Sequence, residues 1–471
     1  MKFVKKLVKK SYIDLTIPFL AFSLLYLPFL NVIPYRDGAI EFIQSYDVYH
    51  GGLTEYLQNW GSVHPPLKFF LLTLLYHLLG MSTFSYTLLG FLLGITTLFV
   101  FYKITDFFFL RETAYTATLF LAISPLFLAT GIFSMLDFLV TCFILISFLF
   151  YIKKKYFLYA ISAGCLVLCK ETGLLLPLVI TSVELFIFLK TFFKNEKLQG
   201  KTFFVSLFPF LTFGLWYLFL QLHQQKPWQD YVFSSVANKG TFYVVLYNLF
   251  TGQFINKYSM QNWQQVFFLN FNWVYWFILL CWLIYFCFHE KKKIMQTILR
   301  LNKYFVVCIL FFLSYLTTVL ALQTYTIPRY ELPLYPFLYM SLAVIVVWVE
   351  KKQKRLEPFF FLFVTVIMLL SLFSSIDPLS QALWGIAKVN NQTLYGVNHY
   401  LAGNDGITYN LQYLFILKNR TQELENIEAG KALVSDYSCD FLFHDPNNDK
   451  QVMYILKLNY ITMPACSDYS D

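Results

Sequence analysis

Long apolar runs without charge set the first constraint on this chain. Phe84 to Tyr102 and Val266 to Phe288 are two of them. Each approaches the roughly 20 residues that an α-helix needs to cross about 30 Å of hydrocarbon. Hydrophobic residues make up 58% of the sequence and charged ones only 13%. A soluble domain carries about twice that charged share. The 54 Phe and 34 Tyr suit lipid-facing and interfacial positions.

The net charge of +9 is not a nucleic-acid footprint. Basic residues fall in short clusters between apolar runs: "KKLVKK" at the start, Lys153–Lys155, Lys291–Lys293 and "EKKQKR" at Glu350–Arg355. Cytoplasmic loops are charged in this way, because positive charge resists translocation. The basic N-terminus precedes an apolar run with no small-residue cleavage site, so that run reads as an uncleaved first span.

Eleven spans are expected, near Asp14–Ile33, Phe84–Tyr102, Thr113–Thr130, Met135–Tyr151, Tyr156–Leu168, Thr172–Leu189, Phe203–Leu220, Val266–Phe288, Tyr304–Leu322, Leu332–Val349 and Phe359–Ile376. Leu67–Leu79 is left out. It is short and holds Lys68 and His77. If it crossed, the basic loops at Lys103–Arg111 and Lys153–Lys155 could not both be cytoplasmic, on the side of the basic N-terminus. It therefore reads as an amphipathic helix at the outer interface. This choice puts most of the 36 Lys and Arg on the N-terminal, cytoplasmic side. The expected organisation is a membrane domain over 1–376, with outer loops at 34–82 and 221–265, and an extracytoplasmic domain of mixed α/β character over 377–471.

Six of the eight Cys lie in apolar runs and read as small hydrophobes. Cys439 and Cys466 lie in the polar tail, where an oxidising compartment would let them pair. Asn391 and Asn419 open sequons for glycosylation. No Cys or His cluster has metal-ligand spacing.

This topology gathers ionisable groups at the outer ends of the spans. Arg36, Asp37 and Glu41 follow the first span, and Asp137 opens the fourth. Lys170 and Glu171 sit between the fifth and sixth, and Arg329 and Tyr330 precede the tenth. Charges at membrane depth are costly and seek a polar cavity and a partner. Lys170 has two readings: an ion pair with Asp137 or Glu171, or a contact to the phosphate of a lipid headgroup. Arg329 is either an interfacial snorkelling residue or a second phosphate ligand. Asp37 and Glu41, four apart, share a face if the segment is helical. A carboxylate opposite a cationic phosphate site suits glycosyl transfer, with the acid as proton acceptor and the cations stabilising the leaving phosphate.

Five segments in this order resemble the class C glycosyltransferases of the protein O-mannosyltransferase and aminoarabinose-transferase type. They are "YRDGAIEF", "HPPLKFFLLTLLYHLLG", "GIFSMLDFLVTCFILIS", "AGCLVLCKETGLLLPLVI" and "PRYELPLYP", within residues 14 to 350. The resemblance implies the all-α polytopic fold of that class, with juxtamembrane helices in the first outer loop. It implies a polyprenyl-phosphate-linked sugar donor, membrane lipids around it, and a glycan, lipid or protein acceptor. Transfer would be inverting and extracytoplasmic, mannosyl-like or of another hexose or pentose. Asp37 would be the base, Lys170 the ligand of the lipid phosphate, and Asp137 part of the site lining. His64, with Pro65 and Pro66, would shape the first loop under the donor. Two departures stand out: Gly38 where a second acid often follows, and Val63 where the aminoarabinose transferases carry an acid. No cofactor is called for, and a divalent cation stays an open option. The expected location is a cell membrane rather than the endoplasmic reticulum, with the N-terminus inside and the C-terminus outside. A transporter or lipid flippase is the alternative, but no internal repeat of the transporter kind is present. A silent scaffold on the same fold is the third reading, against which stand Arg36, Asp37, Asp137, Lys170 and Arg329, all present together.

Overall fold

Within each of the eleven apolar runs the chain forms helix. The computed structural model describes residues 15–30, 37–51, 64–193, 200–224, 251, 263, 267, 273–289, 302–321, 328–352, 357–371, 442–444 and 452–454. Helix α1 is Leu15–Phe29. It is followed by α2 (Asp37–Gly51), α3 (Leu67–Leu79), α4 (Thr83–Phe108), α5 (Arg111–Ala122), α6 (Pro125–Ile132), α7 (Leu136–Ile152) and α8 (Tyr156–Val167). A 3-10 turn at Glu171–Leu174 leads into α9 (Leu175–Phe193). Next come α10 (Gly200–Ser206), α11 (Phe208–Gln224), α12 (Trp273–His289) and α13 (Lys303–Leu320). A second 3-10 turn, Pro328–Leu334, opens α14 (Tyr335–Lys352), and α15 is Glu357–Ser371. Strands β1 (Leu442–His444) and β2 (Val452–Tyr454) pair antiparallel. Cys439, Cys466, Asn391 and Asn419 lie outside the described residues, as do Arg36 and most of the 221–265 loop and the 377–471 tail.

Five helical stretches among the described residues are long and apolar enough to cross a membrane: Thr83–Phe108, Glu171–Phe193, Gly200–Leu220, Lys303–Leu320 and Arg329–Val349. The protein is thus a multi-pass membrane protein. A sixth is the pair α5–α6, and here the structure departs from the single straight span expected over Thr113–Thr130. The two helices meet at 57°. Pro125 has no N–H to continue the ladder and its ring crowds the preceding turn, so α5 stops before it and α6 starts on it.

Several hydroxyls on these helices are satisfied by their own helix, as hydrocarbon surroundings favour. The hydroxyls of Thr97, Thr105 and Thr118 donate to carbonyls one turn back, at 2.7, 3.0 and 2.7 Å. The Tyr26 hydroxyl on α1 lies 2.8 Å from the carbonyls of both Thr87 on α4 and Gly131 on α6, shares its one proton between them, and so pins three helices. The contact is close because α4 carries Gly90 there: a Cβ would fall 2.0 Å from the Gly131 oxygen. Around this point Phe22, Phe127, Phe133, Phe138 and Leu126 form part of a continuous core. Large apolar side chains on α8, α9 and α11 point outward, among them Phe157, Phe186 and Leu211, as suits contact with lipid chains.

The chain reverses from helix to helix, so the two ends of the bundle differ. One end gathers the end of α1, the starts of α4, α7, α9 and α14, and the segments α2 and α3. The other carries Lys153 over the ring of Phe107 and an ion pair from Lys303 to Glu184 at 2.8 Å.

Candidate active site

The first end is organised by the turn into α7. After α6 the backbone N–H of Ser134 donates to the Gly131 carbonyl and that of Met135 to Thr130, at 2.8 and 3.0 Å. Ser134 adopts a left-handed φ of 44° to make this reversal. Asp137 follows in the first turn of α7, where a carboxylate complements the unpaired N–H groups and the helix dipole. Its side chain is only 2% exposed.

Two cations from distant elements converge on it. Lys170 lies between α8 and the Glu171 turn and donates from Nζ to Oδ1 of Asp137 at 2.7 Å. Arg329, in the Pro328–Leu334 turn, brings Nε to 3.3 Å from Oδ2. Each carboxylate oxygen thus faces its own cation. Tyr330 covers both, with its ring 4.5 Å from Lys170 Nζ and 5.3 Å from Arg329 Cζ. Burial works against the charge on Lys170. Asp137 and Tyr330 more than offset it, so the ammonium is held above the ordinary lysine range. Lys170 is brought this deep because Gly173 lets the turn press on α8: a Cβ there would lie 2.4 Å from the Leu166 oxygen.

A second cluster lies at the rim. His64 Nδ1 is 3.2 Å from Oε2 of Glu171, and Tyr217 on α11 donates to Oε1 at 3.3 Å. The Leu67 N–H donates to the Leu168 carbonyl at 3.0 Å, which ties the start of α3 to the Lys170 segment. A third cluster is buried beneath α2. Lys68 donates to the carboxylate of Glu41 and to the carbonyl of Ser134.

The structure therefore brings together Asp137, Lys170, Arg329 and Tyr330, and beside them His64 with Glu171. Lys170 pairs with Asp137 rather than with Glu171. Asp37 is the first residue of α2, Glu41 lies one turn on, and the side chain of Asp37 is outside the described residues, as is all of Arg36. Lys68 corrects the sequence reading. It served there to mark α3 as a surface helix, yet it is 1% exposed and points into the protein. The apolar residues Leu74 and Leu78 are the exposed ones. Its one signal was a charge in an otherwise apolar stretch, and periodicity alone does not say which way that charge points. Among the described residues no group of three metal-ligating side chains occurs.

Residues 63–216 match the family of dolichyl-phosphate-mannose-protein mannosyltransferases. That is less than half of the chain, but it holds His64, Lys68, Asp137, Lys170 and Glu171. No curated protein matches the sequence. The fold is similar to that of the oligosaccharyltransferase of Archaeoglobus fulgidus in its apo form, at 14% identity and a TM-score of 0.50 over 86% of this chain and 59% of that one. The complex of that enzyme with zinc and sulfate gives 16% identity and a TM-score of 0.50 over 85% and 57%. ArnT from Cupriavidus metallidurans bound to undecaprenyl phosphate gives 12% and 0.49 over 90% and 73%. The chain thus spans under two thirds of the length of the archaeal transferase.

Proposed function

We infer that this chain, built on the fold of the class C glycosyltransferases, is a membrane glycosyltransferase that takes its sugar from a polyprenyl-phosphate donor. The observation that carries the reading is the pair of cations held side by side on Asp137. An ammonium and a guanidinium fixed by one carboxylate offer preorganised donors to a phosphate, and cost little reorganisation when charge develops on it. The buried carboxylate holds both cations in place.

In this reading the donor phosphate docks on Lys170 and Arg329. The acceptor oxygen or nitrogen attacks the anomeric carbon from the opposite face. The bond from that carbon to the phosphate oxygen breaks, and the polyprenyl phosphate leaves with the electron pair. Asp37, at the start of α2, takes the acceptor proton. The configuration inverts because attack and departure are on opposite faces. The acceptor is a glycan, a lipid or a protein. Mannose is the sugar suggested by the family that matches residues 63–216. The site end of the bundle faces away from the cytoplasm in this reading, since Lys153 and Lys303 lie at the other end.

The test uses purified full-length protein in nanodiscs with polyprenyl-phosphate mannose, following transfer or, without acceptor, hydrolysis to free sugar. Wild-type protein should release polyprenyl phosphate. Asp37→Asn should abolish release while keeping the thermal unfolding temperature. Undiminished turnover by that variant would remove Asp37 as the base, and an inactive wild type would remove this donor class.

A further inference from the structure

Lys68 joins three segments at one nitrogen. It stands on α3, reaches Glu41 on α2 and the Ser134 carbonyl in the turn that opens α7, and lies 5.5 Å from the ring centre of Tyr86 on α4. The other two residues define what is being joined. Glu41 is four residues beyond Asp37, about one helical turn along α2. Ser134 is three residues before Asp137. One ammonium thus connects the helix that starts with the acid to the turn that sets the cation-bearing carboxylate.

Adhesion between α2 and α3 does not need this pair. Phe42, Leu72, Tyr76, Tyr86 and Leu89 already form an apolar cluster between α2, α3 and α4. Apolar contacts of this kind are non-directional and permit sliding. A buried ion pair adds little net stability, because desolvation offsets its attraction, and an apolar replacement of both partners is often neutral. What the pair supplies is register: an ammonium with two acceptors fixes where α2 sits along α7.

We infer that Lys68 is a positioning residue, holding α2 and its first residue Asp37 at working distance from the Asp137–Lys170–Arg329 cluster. This rests on the glycosyl-transfer reading above. Misplacement by about 1 Å in a reacting pair lowers a rate by about a hundredfold, so even small freedom in α2 is costly to turnover. Donor affinity, set by Lys170 and Arg329, is untouched.

The experiment compares wild type with the double variant Lys68→Met/Glu41→Leu in nanodiscs. Thermal unfolding, kcat with polyprenyl-phosphate mannose, affinity for polyprenyl phosphate, and amide exchange over residues 37–51 are measured. The expected result is an unchanged unfolding temperature, kcat lowered at least tenfold, polyprenyl-phosphate affinity within threefold, and faster exchange in α2 but not in α4. A folded double variant with wild-type kcat overturns the inference. So does a parallel loss of polyprenyl-phosphate affinity, which would place Lys68 in the donor site. If the double variant does not accumulate, Lys68→Gln, which keeps a donor for the Ser134 carbonyl, is judged by the same split between kcat and affinity. A wild type that transfers nothing removes the glycosyl-transfer reading, and α2 exchange then still decides whether Lys68 places that helix.

Discussion

Asp137 holds two positive charges with one negative one, and this asymmetry makes its removal different from removal of either cation. In Asp137→Asn, Lys170 and Arg329 lose the carboxylate that faces them in a site where Asp137 is 2% exposed. Breaking a buried ion pair from one side costs about 3–5 kcal/mol. The variant should therefore unfold at a clearly lower temperature in detergent, and lose activity as a consequence. Lys170→Ala leaves Asp137 facing Arg329, so its unfolding temperature should fall less, while affinity for polyprenyl phosphate should drop at least tenfold. Equal affinity in Lys170→Ala and wild type would reduce the Lys170–Asp137 contact to a structural ion pair. The sequence showed that Asp137, Lys170 and Arg329 share one end of the membrane domain, and it gave both candidate partners for Lys170. It did not show that one carboxylate would take both cations. Asp137 and Lys170 are 33 residues apart, and pairing across helices depends on side-chain reach and on turns such as the one made by Ser134. Lys68 was misread for the same reason: a lone charge in an apolar helix looks alike whether it points to water or to a buried carboxylate.

At the scale of elements, the sequence located the helices well, because each long apolar run must close its own backbone hydrogen bonds in lipid. It missed the break between α5 and α6, although Ser124–Pro125 marks it, since the run as a whole has the length of one span. The bend matters to the site: α6 delivers Gly131 to α4 and then runs into the turn that places Asp137. Gly90→Ala tests this joint. The new methyl group would fall 2.0 Å from the Gly131 oxygen and 2.5 Å from the Tyr26 hydroxyl, so the helices must separate. Overpacking of this kind costs about 1–3 kcal/mol. The unfolding temperature should fall, and polyprenyl-phosphate affinity should weaken with it as the Ser134 turn shifts. Gly214→Ala on α11 meets nothing within 4 Å and is the matched control. It should leave both measurements unchanged or raise stability slightly, since alanine is favoured over glycine in helices by about 1 kcal/mol. Equal behaviour of the two variants would mean that the α4–α6 contact is not what limits this joint.

For the whole molecule, the sidedness rests on one decision about α3. If α3 crossed the membrane, α2 and the start of α4 would face opposite sides, and Asp37 would be cut off from the Asp137 cluster. The structure gives α3 only 13 residues, about 20 Å of helix. It ties the start of α3 to the Lys170 segment through the Leu67 N–H and to the Ser134 turn through Lys68. Helix α4, at 26 residues, covers about 39 Å and does reach from one end of the bundle to the other. Three single cysteines decide the matter in cells, in a background from which the native cysteines, Cys281, Cys439 and Cys466 among them, have been removed. His50→Cys at the end of α2 and Met81→Cys before α4 should both react with a membrane-impermeant maleimide applied outside. Lys155→Cys, in the turn between α7 and α8, should react only after permeabilisation. Opposite behaviour of His50→Cys and Met81→Cys would make α3 a span and separate the proposed base from its donor site. Reaction of Lys155→Cys alone from outside would keep the site intact but turn it to the cytoplasm. Only the expected pattern leaves Asp37, Lys170 and Arg329 together on the outer face.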